Sequence, residues 1–313
     1  MKNNSPFTDD KIKSVGALGE SELIKRIKLW LGNTSPKAPH GIGDDCAVLP
    51  SSPKKQLITV DPIIYGRHFD DSVTAEQAGS KLLKRNISDI AAMGGKPTYC
   101  VLSLCLDSGV KLDWLKHFYL GIKKTAKAYS ISVVGGDISE MDRACIATLT
   151  LLGTQVTQRV LTRNCAKKDD LIYVTGKLGL SLSRGHHYSF KPRLNEAQWL
   201  AQQPCVNALM DLSDGIAKDI NCLVPAHAVA CIFPDKLPLN TKASLKNALC
   251  DGEDYELLFT VKSKTQCSSF EAKWKKSFPE VKLSLIGFMS PQTKRPKEAI
   301  NLEDFYGYEH LTQ

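Results

Sequence analysis

The sequence predicts a mixed α/β chain of the α+β type, built as two domains. Three observations predict it. The chain has 313 residues, which suggests two domains at about 150 residues each and leaves one large domain open on length alone. Helical and strand patterns follow one another in mixed order, without the regular alternation of a doubly wound sheet. A basic, polar stretch at 155–170 separates two halves of similar style. The boundary is placed at Thr154. That gives a polar tail over 1–18, an N-terminal domain over 19–154 and a C-terminal domain over 155–313.

The elements follow in order. Residues 1–18 read as a loose tail. Over 20–31, Leu23, Ile24, Ile27 and Leu31 recur at helical spacing. Pro and Gly then punctuate the chain as far as Asp45. Leu57-Ile58-Thr59-Val60 reads as a buried strand. Over 75–94, Leu82, Leu83, Ile87, Ile90 and Ala91 fall on one side of a helix. A strand over 99–106, a helix over 114–129 and strands over 131–134 and 145–154 complete the first half. The second half predicts strands over 171–175, at Leu209-Met210 into Asp211, over 255–261 and over 283–288, with a helix from about 215 to 223. No short-period repeat and no low-complexity segment occurs.

Composition excludes several classes. Hydrophobic residues are 42% and charged residues 24%, which rules out wholesale disorder. Lys plus Arg is 41 and Asp plus Glu is 33, a net charge of +8. The excess is spread thinly, in clusters such as Lys25-Arg26-Ile27-Lys28 and Lys273-Trp274-Lys275-Lys276. It reads as solvated helix faces rather than a nucleic-acid stripe. No apolar run approaches the roughly 18 residues of a membrane span, and Met1 to Asp10 lack the apolar core of a signal peptide. The expectation is a cytoplasmic protein with no membrane and no nucleic-acid partner. The ten cysteines contain no C-x-x-C. Cys100, Cys105, Cys145 and Cys231 sit in apolar stretches and read as small core residues.

The strongest chemical signal is where the aspartates fall. Asp44 and Asp45 end the Gly41-Ile42-Gly43 turn. Asp61 follows the strand at 57–60, and Asp137 follows Val133-Val134-Gly135-Gly136. Asp211 and Asp214 flank Leu212-Ser213 and open a helix. Asp89 lies inside an apolar helix, one turn after Asn86. Singly, each reads as a cap or turn former. Carboxylates at strand ends cost free energy unless paired, and no Arg or Lys lies in sequence beside Asp45, Asp61, Asp137 or Asp211. Together they point to a hard cation such as Mg²⁺, which takes oxygen ligands and keeps several waters. Gly41, Gly43, Gly135, Gly136, Gly176 and Gly179 sit in turns where backbone N–H groups could face phosphate, although turn formation alone explains most of them. No G-x-x-x-x-G-K-[ST], protein-kinase signature, G-x-S-x-G or H-E-x-x-H occurs.

Six blocks then occur in one order. They are Gly41-Ile42-Gly43-Asp44-Asp45-Cys46-Ala47, Asn86-Ile87-Ser88-Asp89-Ile90-Ala91-Ala92-Met93-Gly94, Gly135-Gly136-Asp137, Tyr173-Val174-Thr175-Gly176, Asp211-Leu212-Ser213-Asp214-Gly215 and Gly252-Glu253-Asp254-Tyr255-Glu256-Leu257. Together they resemble the thiamine-monophosphate kinase family, from about Gly41 to Gly307-Tyr308-Glu309-His310. The resemblance implies a fold similar to aminoimidazole-ribotide synthetase. Its N-terminal α/β domain would pair its mixed sheet with a second subunit in a homodimer, and a C-terminal α/β domain would follow.

By that resemblance Asp45, Asp61, Asp89, Asp137, Asp211 and Asp214 hold Mg²⁺ ions, assisted by Thr59. Gly136, Asp137, Arg163 and Ser213 match ATP contacts, and Tyr119 another. His68, Glu253 and Phe305 match contacts to the thiamine substrate. Without the resemblance His68 reads as an ordinary half-buried histidine, Phe305 as core and Arg163 as a surface charge.

The implied reaction passes the γ-phosphoryl of ATP to the phosphate of thiamine monophosphate, with several Mg²⁺ ions as cofactor. A need for a monovalent cation stays open. Both reactants are polyanions that repel at reaction distance, and metal ions would screen that repulsion. The acceptor phosphate, with a second pKa of about 6, is largely deprotonated at neutral pH, so no general base is expected. Pro62, Tyr65, Ile138 and Cys250-Asp251 depart from the usual family residues, and the segment from Ser181 to His187 is shorter than usual. These departures fall on the expected pocket walls more than on the metal ligands. Another ATP-dependent synthetase of the superfamily, or a nucleotide-binding protein without catalysis, is the alternative.

Overall fold

The structure is a computed structural model that describes residues 4–37, 40–42 and 46–309. It divides into two compact units, Met1–Ile90 with Lys96–Thr154, and Ala91–Gly95 with Gln155–Gln313.

The first unit holds helix α1 (Glu20–Leu31), strand β1 (Gln56–Ile64), helix α2 (Ala75–Ala92), strand β2 (Gly95–Leu106), helix α3 (Leu112–Tyr129) and strands β3 (Ser132–Glu140) and β4 (Cys145–Gln155). The strands form one mixed sheet in the order β1-β4-β2-β3. β1 and β4 pair antiparallel from Gln56↔Thr154 to Ile64↔Ile146, while β2 and β3 run parallel. Alternation along β4 buries Cys145, Ala147, Leu149 and Leu151 on one face. That face meets Trp114, Leu115 and Phe118 of α3, which touch the same small void as Ile63, Leu104 and Ala147. Each such side chain, fully buried, contributes about 1.5–3 kcal/mol. The two long helices approach closely, because a Cβ at Gly121 would stand 2.1 Å from the Glu76 carbonyl oxygen.

The opposite face of the sheet differs from expectation. Leu57-Ile58-Thr59-Val60 read as a buried strand, but β1 is an edge strand whose Ile58 is 73% and Val60 57% exposed. They sit opposite Leu152 and Thr150 of β4. An edge position also explains how Pro62 is tolerated within the strand.

The N-terminal segment is not loose where it is described. Phe7 and Ser14 bridge to Val110 and Lys111, and Lys111 Nζ donates to the Ser5 carbonyl at 2.7 Å. Val15 is buried, and Phe7 lies edge-on to Tyr65 with ring centroids 5.5 Å apart. Two apolar anchors in a polar stretch suffice to pin it.

The second unit contains β5 (Leu171–Thr175), α4 (His186–Ser189), α5 (Leu194–Gln202), β6 (Val206–Asp211), α6 (Ile216–Asp219), β7 (Ala228–Ile232), α7 (Leu245–Cys250), β8 (Leu257–Val261), α8 (Cys267–Ser277) and β9 (Leu283–Pro291). Its five strands form a sheet ordered β6-β8-β5-β9-β7, and every pair is antiparallel. The core gathers Ile172, Val174, Met210, Leu212, Ile216 and Leu258, among others. The strand expected from 255 begins at Leu257, because Tyr255 is held at φ 48° and cannot extend a strand. Among the described residues no helix is long and apolar enough to cross a membrane.

Candidate active site

In the first unit, β1 and α2 bring three expected residues together. Thr59 and Asp61 lie on the helix-facing side of β1, opposite Leu151 and Leu149. The Thr59 hydroxyl donates to Asp89 Oδ2 on α2 at 2.5 Å. One turn earlier on α2, Arg85 Nη2 stands 3.4 Å from Asp61 Oδ1, and Nη1 donates to the Pro62 carbonyl at 2.8 Å. Asp61 therefore does have a cationic neighbour. The pairing spans 24 residues and is invisible to local sequence.

His68 is oriented from two directions. The Ile64 N–H donates to its Nδ1 at 3.1 Å, which assigns the ring proton to Nε2. The Nζ of Lys81, a fully buried lysine, donates to the His68 carbonyl at 2.8 Å.

Three expected ATP contacts share one cleft of about 450 Å³ in the first unit. Tyr119 of α3 and Gly136 and Asp137 of β3 line it, with Ile27 and Leu31 of α1 and Leu102 of β2. Gly136 has to be glycine, because a Cβ there would sit 2.3 Å from the Leu102 carbonyl oxygen. Tyr119 is buried, and desolvation pushes its phenol well above the usual tyrosine range. Asp61 and Asp137 belong to the two opposite edge strands of the sheet.

In the second unit, Asp211 ends β6 and is buried. The Ser213 and Asp214 N–H groups both donate to Asp219 Oδ2, each at 3.0 Å. Burial pushes the Asp219 carboxyl up to about 7. The charges of Asp214 and Asp211 add to this, while the two N–H bonds oppose it. Lys218 Nζ pairs with Asp214 Oδ2 at 2.9 Å and with Glu309 Oε2 at 3.2 Å. Neither Asp211 nor Asp214 caps the next helix, because Gly215 is its N-cap and no side chain bonds there.

The Gly252-to-Leu257 block crosses this loop. The Glu253 N–H donates to the Ser213 carbonyl at 2.8 Å and the Tyr255 N–H to the Leu212 carbonyl at 2.8 Å. Glu253 and Tyr255 both hold left-handed backbone, at φ 54° and 48°, a conformation that persists only where surroundings impose it. Arg193 supplies part of that frame, with Nε to Glu256 Oε2 at 2.7 Å and Nη2 to Oε1 at 2.5 Å. The Thr175 hydroxyl donates to Glu256 Oε2 at 2.6 Å. His187 Nδ1 lies 3.4 Å from Glu253 Oε2.

Thus Asp211, Ser213, Asp214 and Glu253 come together in the second unit. Arg163 is exposed on a 3₁₀ turn, and Phe305 is half-buried against the apolar core. Asp45 lies outside the described residues. Among the described residues no three His, Cys, Asp or Glu side chains gather as a metal-ligating group.

Residues 43–155 match the family "AIR synthase related protein, N-terminal domain". The thiamine-monophosphate kinase of Aquifex aeolicus is 32% identical over 278 residues, covering 80% of this chain and 87% of that one. The chain belongs to the thiamine-monophosphate kinase family. The family's member in Haemophilus influenzae is 28% identical over 95% of this chain and 99% of its own length. Among solved structures, the thiamine-monophosphate kinase of Stenotrophomonas maltophilia superimposes with a TM-score of 0.71 at 26% identity, covering 86% of this chain and 93% of that one. AaThiL complexed with AMPPCP and TMP superimposes with a TM-score of 0.66 at 28% identity, covering 95% of this chain and 98% of that one. In this thiamine-monophosphate kinase-family chain, sequence reasoning missed Asp219, His187 and Arg193. Asp219 is five residues past Asp214, a spacing that places it one helical turn back against the loop. His187 and Arg193 carry no sequence signal, since their partners lie more than 60 residues away.

Proposed function

We propose that this chain transfers the γ-phosphoryl of ATP to the phosphate of thiamine monophosphate, giving thiamine diphosphate and ADP. The carrying observation is the first-unit cleft, whose wall brings Tyr119, Gly136 and Asp137 together. The similarity to AaThiL, whose complex holds AMPPCP and TMP, supports the same reading.

The available donors suit a hard cation. Thr59, Asp61, Asp89, Asp137, Asp211 and Asp214 offer only oxygen, as Mg²⁺ requires, and we assign them as its ligands together with Asp45. Several Mg²⁺ ions, when bound, screen the repulsion between the two polyanions and stabilise charge in the transition state. Tyr119, Gly136, Asp137, Arg163 and Ser213 are assigned to ATP. His68, Glu253 and Phe305 are assigned to the thiamine end. His68, with Nδ1 accepting from backbone, presents an Nε2–H donor. No side chain is assigned as general base, because a phosphate acceptor needs charge compensation rather than deprotonation. The test is ADP release: it should require Mg²⁺ and thiamine monophosphate together, and release without an acceptor would contradict the reading.

The same reading makes the chain a homodimer through the first-unit sheet. Exposed Ile58 and Val60, beside Thr150 and half-buried Leu152, form an apolar row on an edge strand, which isolated sheets avoid. We assign it to the cytoplasm, a reading its ten free cysteines support.

A further inference from the structure

The turn from Leu212 to Asp214 is held at every backbone group. Its carbonyls accept from Tyr255, Glu253 and Tyr308, and the Leu212 N–H donates to the Glu256 carbonyl. All of those bonds join backbone to backbone. The remaining two donors, the N–H groups of Ser213 and Asp214, go to a single side-chain atom, Asp219 Oδ2. Asp219 is 5% exposed, so water does not replace it easily as acceptor. It sits at the last residue of α6, where the helix returns its side chain toward the preceding turn.

We propose that Asp219 is a positioning residue for divalent-cation binding. By accepting both N–H groups it fixes the Asp211-to-Asp214 turn and holds those two carboxylates in their cation-binding arrangement. This rests on the assignment of Asp211 and Asp214 as ligands. A turn with two carboxylates three residues apart tends to splay them, since like charges repel. Two N–H groups anchored on one buried oxygen oppose that splay without adding a ligand. The requirement is for an acceptor atom at that place. Asparagine supplies one and leucine, of similar size, does not.

Mn²⁺ in place of Mg²⁺ allows binding to be read directly, by the loss of the free-ion paramagnetic resonance signal. Asp214→Asn is the reference for loss of the second-unit site. Asp219→Leu should reproduce that loss, weakening the affected Mn²⁺ binding about tenfold or more, as removal of a ligand-orienting partner does. The Mg²⁺ concentration for half-maximal turnover should rise in parallel, while KM for thiamine monophosphate at saturating Mg²⁺ stays near wild type. Asp219→Asn should restore binding close to wild type. If the leucine variant does not fold, Asp219→Ala is read in its place. Loss in Asp214→Asn but not in the leucine or alanine variant overturns the proposal alone. So does an asparagine variant as impaired as the leucine one, because charge would then be the requirement. An Asp214→Asn variant with unchanged Mn²⁺ binding overturns the ligand assignment and the proposal with it.

Discussion

The hydroxyl of Thr59 on β1 donates a 2.5 Å hydrogen bond to Asp89 Oδ2 in the last turn of α2. The bond ties an edge strand to the helix that covers it, and it helps to orient the Asp89 carboxylate. Asp89→Asn should abolish most turnover while leaving the fold intact. The amide still accepts from Thr59, so melting temperature should not fall. Steady-state kinetics at saturating Mg²⁺ with a melting curve checks this, and near wild-type kcat would remove Asp89 from the ligands.

ATP should stabilise the protein only with Mg²⁺, because the aspartates repel bare triphosphate. At 100 times Kd the gain is about 2.7 kcal/mol, well within reach of a thermal-shift measurement. Gly136→Ala should reduce that gain, since its Cβ would meet the Leu102 carbonyl oxygen at 2.3 Å and force β3 away from β2 at the cleft wall. Equal stabilisation by ATP in EDTA, or an unchanged shift in the alanine variant, would contradict the cleft assignment.

Asp254 gives a pH prediction. It is 1% exposed, its Oδ1 accepts from the Gly179 N–H at 3.0 Å and from the Ser181 hydroxyl, and burial pushes its carboxyl up to about 7. An unfolded aspartate titrates near 3.9. Between those values the folded state binds the extra proton, so this group's contribution to stability falls as pH rises, by up to about 1.4 kcal/mol per unit, and levels off above about 7. Asp254→Asn keeps the acceptor and removes the charge. Its melting temperature should exceed wild type at pH 8 and approach it at pH 5. A gap that does not change with pH would show that Asp254 is not titrating there.

The uncovered row on β1 predicts a dimer. Light scattering at micromolar concentration should give twice the chain mass. Ile58→Lys with Val60→Lys, both at exposed positions, should give a monomer with the first unit still folded. A wild-type monomer would contradict the assignment.

How much of this was legible in sequence follows from the range of each interaction. Residues 20–31 were read as a helix because Leu23, Ile27 and Leu31 declare their face within the element, and the same bounds appear in the structure. β7, α5 and α8 were not read. Ala228–Ile232 is too short and plain to announce a strand, and Cys267–Ser277 buries only Phe270 and Trp274. Of the site, Asp211, Ser213 and Asp214 fall within four residues and stand out, in the turn that leaves the end of β6. The Arg85–Asp61 contact, the Asp219 acceptor and the Arg193–Glu256 bridge depend on chain folding back, so no local pattern could reveal them. The N-terminal segment was misread because two anchors, Phe7 and Val15, are too few to set a period.

The acceptor tests the account most directly. A phosphate needs only charge compensation, whereas the alcohol of free thiamine would need a base within hydrogen-bond reach. The measurement is incubation with ATP and Mg²⁺ plus either thiamine monophosphate or thiamine, with products separated by chromatography. Thiamine diphosphate formed from the monophosphate alone is the predicted result, and turnover of free thiamine at a comparable rate, or of neither compound, would contradict it.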